Sequence, residues 1–406
     1  MHKPVCLVLM SALLLLAFVS IPAVAQSIEL ESSASYQFGE SITFRAIIRS
    51  DYPIEKATIF FQAENDTRTN LGEVEVSQLD ASQTQLTYTH EMNYYAIRPF
   101  AQVEFRWEID IEGAESFTSP KYSFVYIDDR FEWQELEEPP FRVFWYQGDT
   151  AFAQNILDTA QEGLIQLERT LNLSAPQGLD IYVYNDASAL LQALNPAGPG
   201  WVSGHADPDL GVILVSIPPG LEQRQDIEQR IPHELAHIAL FQATGTGYYN
   251  LPTWLNEGLA SLVEISPNQD YHVLLEHAIE TDSLLPMQTL CNGFPRDASS
   301  ALLSYAQSAS FTRYLFERFG ATKMRELVST YANGVSCEHG IQSTLGLSFS
   351  QLESQWQREA LEQNVALKAF QNILPWLALL ALILGTPLVL VIYRLRTSSE
   401  QNSDRA

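Results

Sequence analysis

The residues best suited to chemistry are His233, Glu234 and His237, which lie in the run H-E-L-A-H. On a helix, two histidines four positions apart face the same side, one turn apart. Neutral imidazole nitrogens in that arrangement can bind one tetrahedral zinc ion. The carboxylate of Glu234 lies beside them, where it can accept a proton from water. The pattern therefore predicts a hydrolytic metal centre that needs a third protein ligand.

A candidate for that ligand follows in the run L-P-T-W-L-N-E-G-L-A-S, which ends at Ser261. This run predicts a second helix, because Leu255, Leu259 and Leu262 recur at helical spacing and mark a buried face. Glu257 lies off that apolar stripe, where a helix that only fills a core has no use for a carboxylate. Glutamate is a side chain of the type that zinc accepts beside two histidines.

The two runs resemble the zinc-binding helices of gluzincin metallopeptidases. The letters W-L-N-E-G-L-A-S are especially similar to the aminopeptidase N family, and the spacing from His237 to Glu257 is similar to that of thermolysin. The resemblance covers residues 141–362. It implies a Zn²⁺ site with Glu234 as the catalytic base and with three ligands, His233, His237 and Glu257.

Three further side chains enter through the same resemblance. Tyr305 precedes a predicted helix at 312–319 and matches a tyrosine whose hydroxyl stabilises the tetrahedral intermediate, although it could equally be a core tyrosine. Ser261 stands where thermolysin-like enzymes have an aspartate that orients a histidine, and Glu264 follows one turn later. Either could support a ligand, the alternative for Glu264 being a solvent-facing position.

One departure bears on the substrate. The aminopeptidase N family captures the free amino terminus with a G-x-M-E-N segment, and no such segment precedes His233. An endopeptidase or a specialised processing enzyme is therefore as good an interpretation as an aminopeptidase.

Two features of the surrounding elements carry expectations. Pro232 stands directly before His233, and proline inside a helix costs about 3 kcal/mol, so we expect the helix to begin afresh or to kink there. The apolar run G-V-I-L-V-S-I at 211–217 predicts a strand. In gluzincins a strand at this place borders the cleft and pairs with extended substrate.

The sequence predicts a multidomain chain. Short alternating runs over residues 26–130 predict an all-β, immunoglobulin-like sandwich. A linker is expected at 131–140 and an α+β gluzincin, thermolysin-like domain at 141–365. An apolar run followed by A-V-A predicts a signal peptide at 1–25. The uncharged residues 373–393 predict a single transmembrane helix, with a cytoplasmic tail at 394–406.

The predicted signal peptide and transmembrane helix together predict export to the cell membrane as a single-pass protein, with the N-terminal ectodomain outside the cytoplasm. The net charge of −26 disfavours nucleic acid as a partner. In an oxidising compartment Cys291 and Cys337 could pair, although two buried thiols are the alternative.

Together these features predict a membrane-anchored, extracytoplasmic zinc metallopeptidase that acts on a peptide or protein substrate. Two alternatives stay open at this point. One is a zinc hydrolase of non-peptide bonds, because activation of water does not dictate the substrate. The other is a vestigial peptidase core that acts as a surface binding or scaffold protein.

Overall fold

The computed structural model describes residues 28–80, 82–93, 95–173, 178–194, 204–361, 373–377 and 379–383. The chain forms two compact units. The first comprises residues up to 97 together with 102–125, and the second comprises 98–101 together with the chain from 126 onward. The short segment 98–101 thus belongs to the second unit, although it lies between two strands of the first.

The first unit is built from antiparallel strands in two sheets. One sheet has the order β1-β2-β6-β5, and the other has the order β4-β3-β7-β8 with β9 also paired to β7. The strands are β1 (Glu29–Gln37), β2 (Ser41–Arg49), β3 (Ile54–Ala63), β4 (Asn70–Glu73), β5 (Glu75–Gln78), β6 (Gln83–Glu91), β7 (Gln102–Ile111), β8 (Phe117–Thr118) and β9 (Tyr122–Val125).

Alternation along these strands explains why the two sheets pack face to face. In β2 every second side chain from Ile42 to Ile48 is buried, as the two-residue period of a strand requires. Phe44 on one sheet lies 5.0 Å from both Phe61 and Phe105 on the other, measured between ring centroids. These rings form the centre of an apolar layer between the sheets.

The second unit contains a mixed five-stranded sheet. Its strands are β10 (Gln134–Glu138), β11 (Phe141–Trp145), β12 (Leu179–Tyr184), β13 (Gly204–Asp207) and β14 (Val212–Ser216), in the order β10-β11-β12-β14-β13. Strands β11, β12 and β14 are parallel, while β10 and β13 pair antiparallel at the two edges. The run at 211–217 contains β14, which is buried inside the sheet while β13 forms the edge, and Leu214 of β14 lines the cleft described below.

Helices cover this sheet and continue beyond it. They are α1 (Thr150–Leu171), α2 (Ala187–Leu194), α3 (Gln223–Thr244), α4 (Thr253–Leu262), α5 (Asp270–Glu280), α6 (Ala298–Ala332), α7 (Cys337–Leu345) and α8 (Phe349–Glu359). Helix α6 starts where the Asp297 side chain accepts a hydrogen bond from the Ser300 amide at 2.9 Å, and Gly320 interrupts it at a φ of 77°. Tyr305 therefore lies inside a helix that begins well before the predicted residues 312–319.

Helix α3 continues through Pro232, so the helix does not begin afresh there, and a kink is the alternative of the prediction that stays open. Proline has no amide hydrogen and leaves the carbonyl four residues earlier without its helical partner. That carbonyl, on Glu228, instead accepts hydrogen bonds from the amides of Ile265 at 3.0 Å and Ser266 at 3.4 Å. The lost bond within the helix is thus replaced by a link to the segment that follows α4.

The close packing of α4 against α6 depends on Gly258. A Cβ atom at this position would collide with the hydroxyl of Thr312 and the carbonyl oxygen of Ser308. Glycine lets the two helix backbones approach, and the neighbouring Trp254 fills the contact with its ring 5.2 Å from that of Phe311. The position of α4, and of the glutamate that it carries, follows from this contact.

The prediction of a transmembrane helix at 373–393, and with it of a single-pass membrane protein, is contradicted. A helix needs about 20 apolar residues to cross a bilayer. In the part of the chain that the structure describes, no helix is both long and apolar enough to do so. Only 373–377 and 379–383 of the predicted span are described, as helix. The predicted signal peptide at 1–25 and the tail at 394–406 lie outside the described residues.

A disulfide joins Cys291 to Cys337, at the start of α7, across 46 positions of sequence. We expect the double substitution Cys291→Ala, Cys337→Ala to lower the free energy of unfolding by about 4 kcal/mol, because the unfolded chain regains the entropy of that loop. Urea unfolding of the variant and of wild type, with and without reductant, measures the loss. Equal midpoints for oxidised wild type and the variant would contradict this expectation.

Candidate metal centre

Helices α3 and α4 bring three ligand-type side chains together. The Nε2 atom of His233 lies 3.3 Å from Oε2 of Glu257, and the Nε2 atom of His237 lies 3.7 Å from the same oxygen. All three ligand atoms are within 4.8 Å of one another. Four ligands at about 2.0–2.1 Å from a tetrahedral zinc are separated by roughly 3.3–3.4 Å. The donor set is of the type that zinc accepts, and the three atoms lie close enough together to hold a metal ion.

The outer nitrogens of both imidazoles have partners that orient the rings. The Nδ1 atom of His233 lies 2.9 Å from Oε1 of Glu264, and the Nδ1 atom of His237 lies 3.1 Å from Oδ1 of Asn256. The amide group of Asn256 in turn donates to the Tyr248 hydroxyl at 2.9 Å. With each Nδ1 as donor, the Nε2 atoms keep their lone pairs for a metal, which is how metal-binding histidines are held.

Of these supporting residues, sequence reasoning found Glu264 and missed Asn256 and Tyr248. Asn256 stands directly before Glu257 in the run W-L-N-E-G, and the residue type was the only signal that could have found it. The predicted Ser261 is buried, and its hydroxyl has no hydrogen-bond partner among the described residues.

Burial and mutual proximity set the charges of the cluster. Burial alone would lower the pKa of His233, but the carboxylates of Glu257 and Glu264 outweigh it and raise the pKa well above the ordinary value. Burial lowers the pKa of His237. Burial alone would raise the pKa of Glu257, but the two neighbouring imidazoles outweigh it and lower the pKa below the ordinary value. The protein thus holds a carboxylate between two rings, a pattern that favours a cation at their common point.

Glu234 lies between this cluster and the sheet edge. Its side chain is buried, and burial raises its pKa to about 7 against the opposing effect of His233. The backbone amide of Ala206 on β13 hydrogen-bonds to its carboxylate. This carboxylate is therefore fixed by the edge strand and is placed to exchange a proton with a molecule in the cleft.

Gly204, at the start of β13, makes this placement possible. A Cβ atom on residue 204 would collide with Oε1 of Glu234 and would lie 3.0 Å from its Cδ. Any side chain at this position would displace the carboxylate. Sequence reasoning did not single out Gly204, because β13 reads only G-H-A-D and lacks the apolar alternation of a strand.

Tyr305 lies on the wall of the same cleft as His233 and Glu234. Its ring meets that of Phe294 edge to face at 4.8 Å. Burial, and after it the carboxylates of Glu257 and Glu234, raise the pKa of the Tyr305 phenol. The hydroxyl therefore keeps its proton and can act as a hydrogen-bond donor in the cleft.

The cleft has two compartments that meet at Glu234. One, of about 570 Å³, is lined by Arg98, His205, Asp207, Tyr248 and Tyr249 among others. The other, of about 230 Å³, is lined by Gln229, Arg230, Asn268, Tyr271 and Leu302 among others. Gly204, His233, Glu234 and Tyr305 line both.

Glu264 gives a test of the metal centre that needs no assay of activity. We expect Glu264→Gln to weaken zinc binding by about 10-fold to 100-fold, because a neutral amide holds the imidazole of His233 less firmly than a carboxylate. Titration with zinc against a coloured chelator measures the dissociation constant.

The matched control is Glu276→Gln, which removes a carboxylate 3.2 Å from the imidazole of His272 on the exposed surface of α5. This control should bind zinc as wild type does. Equal zinc affinity for Glu264→Gln and wild type would show that the Glu264 carboxylate does not support the metal site.

Two solved structures that match this chain are distant in sequence. A purple acid phosphatase from yellow lupin (Lupinus luteus) is 9% identical with a TM-score of 0.21, and the match covers 40% of this chain and 30% of the phosphatase. An aminopeptidase N family protein from Idiomarina loihiensis is 10% identical with a TM-score of 0.33, over 81% of this chain and 76% of that one. TM-scores this low do not establish a common fold. Comparison with curated proteins gives no match.

Comparison with protein families is more informative. The model of the peptidase MA superfamily matches residues 159–362, which is half of the 406-residue chain. The matched stretch contains the two histidines of α3, the glutamate of α4, Glu234 and Tyr305. The resemblance noted in the two helical runs is thereby confirmed at the level of the superfamily, and the chain belongs to the peptidase MA superfamily.

Proposed function

We propose that this protein is a zinc-dependent metallopeptidase that hydrolyses peptide bonds in peptides or proteins. The observation that carries the proposal is the convergence of His233, His237 and Glu257 on one point beside the buried carboxylate of Glu234. Membership of the peptidase MA superfamily supports the choice of a peptide bond as the substrate.

His233, His237 and Glu257 would hold the zinc ion through their Nε2 atoms and a carboxylate oxygen. When bound, zinc would supply Lewis-acid chemistry that polarises a carbonyl group and makes water more acidic. Glu264 and Asn256 would keep the two rings in place through their contacts with the Nδ1 atoms.

Glu234 would move the proton. Its carboxylate accepts a proton from water as the water oxygen adds to the carbonyl carbon of the scissile bond. It then gives that proton to the amide nitrogen as the carbon–nitrogen bond breaks, so that an acid and an amine leave. The Ala206 amide and the absence of a side chain at Gly204 would set the direction of the carboxylate during both proton transfers.

Tyr305 would stabilise the tetrahedral intermediate. A phenol that keeps its proton can donate a hydrogen bond to the oxygen on which negative charge develops. Its position beside Glu234 in both compartments of the cleft supports this role.

Glu234→Gln separates hydrolysis from metal binding. We expect kcat for a peptide substrate to fall by about 100-fold to 10,000-fold, because the amide cannot accept the proton of water. Zinc content should stay at the wild-type level, since the three ligands are untouched. Product chromatography and metal analysis of the purified variant give the two readouts.

The control for this variant is Glu228→Gln, which alters a carboxylate on the same helix that pairs with Arg224 at 2.6 Å. It should hydrolyse peptides at the wild-type rate. Hydrolysis by Glu234→Gln at that same rate would remove Glu234 from the mechanism.

Gly204→Ala tests whether the edge strand holds the carboxylate. We expect kcat to fall by about 100-fold, because a displacement of about 1 Å at a reacting group costs that much. Zinc content should not change, because the atoms nearest to an added Cβ at residue 204 belong to Glu234, which is not one of the three proposed ligands.

The matched glycine is Gly220, where an added Cβ meets nothing within 4 Å. Gly220→Ala should keep the wild-type kcat. If Gly204→Ala kept it too, steric exclusion at residue 204 would have no part in positioning Glu234.

A further inference from the structure

We propose that the cleft accepts the interior of an extended polypeptide rather than a chain end, and that Arg98 maintains this preference by neutralising the charge of the larger compartment. The inference rests on the proposed peptidase function and names its substrate class. It is carried by two observations, the shape of the cleft and the pairing of the charges along it.

The shape places room on both sides of the reacting group. Compartments of about 570 Å³ and about 230 Å³ meet at Glu234, and both are walled by Gly204 and Tyr305. A bond cleaved beside Glu234 therefore has space for residues that precede it and for residues that follow it. An enzyme that removes single terminal residues needs one of the two spaces to be closed.

The charges offer no binding partner for a terminus. An unpaired carboxylate is the strongest side-chain partner for a free amino terminus, and an unpaired cation is the strongest for a free carboxyl terminus. Among the described aspartate, glutamate, lysine and arginine side chains that line the two compartments, Glu234, Glu257 and Glu264 belong to the candidate metal centre. The others are Arg98, Asp207 and Arg230.

Each of these three is already bound within the protein. Arg230 pairs with Asp226 at 2.7 Å and donates to the carbonyl of Ser216. Asp207 accepts from Nε of Arg98 at 2.8 Å. Both arginines and the aspartate are thus held by neighbouring groups rather than offered to a ligand.

Arg98 makes the most extensive of these contacts. Its Nη1 atom donates to Oδ2 of Asp209 at 2.7 Å, and its Nη2 atom contacts both Asp207 and Asp209. The two aspartate side chains are only 13% and 17% exposed. Without the guanidinium, two poorly hydrated carboxylates would stand beside the larger compartment and would attract a cation.

The first test compares blocked and free peptides with the wild-type, zinc-loaded protein. The probe is an internally quenched peptide of mixed sequence with an acetylated amino terminus and an amidated carboxyl terminus. The first comparison substrate is the same peptide with both termini free. The others are an aminoacyl substrate of the kind that aminopeptidases cleave and a substrate of the kind that carboxypeptidases cleave, each of which releases a single residue. We expect the blocked and free peptides to be cleaved at an interior bond with kcat/KM values within about threefold, and the terminal substrates to be left intact.

The outcomes separate this inference from the function on which it rests. Cleavage only of substrates with a free terminus would overturn the inference and leave the peptidase intact. Failure to cleave any peptide, with zinc bound, would overturn both. This comparison needs no variant and does not depend on how a substitution folds.

The second test is Arg98→Ala. We expect kcat/KM for peptides with a free amino terminus near the scissile bond to rise about 10-fold relative to the same peptides with an acetylated terminus, as the uncovered aspartates gain a cationic partner. Arg142→Ala is the matched control, because it breaks a comparable pair with Asp180 at 2.7 Å that lies outside the cleft. Unchanged selectivity in a folded Arg98→Ala protein, verified by its melting temperature, would overturn the role of Arg98.

Discussion

The metal centre depends on how closely helix α4 can approach its neighbours. Two of the three ligand-type side chains lie on α3 and the third on α4, so their atoms meet only if these helices are held at a fixed separation. Gly258, next to the third ligand, lets α4 touch α6 backbone to backbone. A single methyl group at that contact would move Glu257 away from the two imidazoles.

The sheet contributes an ordered backbone beside the buried carboxylate of Glu234. Edge strand β13 gives the Ala206 amide to the carboxylate of Glu234 and leaves space for it at Gly204. The same strand ends at Asp207, which binds Arg98. One short edge strand therefore sets both the direction of a carboxylate and the charge at the far end of the cleft.

The local parts of this arrangement could be predicted from the sequence, because they follow from periodicity. The spacing of His233 and His237 and the place of Glu257 off its apolar stripe required only helix geometry. Strand β13 has only four residues, G-H-A-D, and carries no such signal. Arg98 lines the cleft from a short segment that lies in the sequence between two strands of the first unit. The membrane-spanning helix was predicted from the uncharged length of 373–393 and the arginines that follow it, and it was wrong because no helix among the described residues is long and apolar enough to cross a membrane.

Pro232 has a consequence for how the second unit opens. The Glu228 carbonyl accepts hydrogen bonds from the amides of residues 265 and 266. If that segment detached, this carbonyl of α3 would be left without a hydrogen-bond partner. The segment directly follows Glu264, whose carboxylate holds the ring of His233. Fraying of this segment would therefore expose the Glu228 carbonyl to solvent and loosen the hold on the imidazole of His233 together.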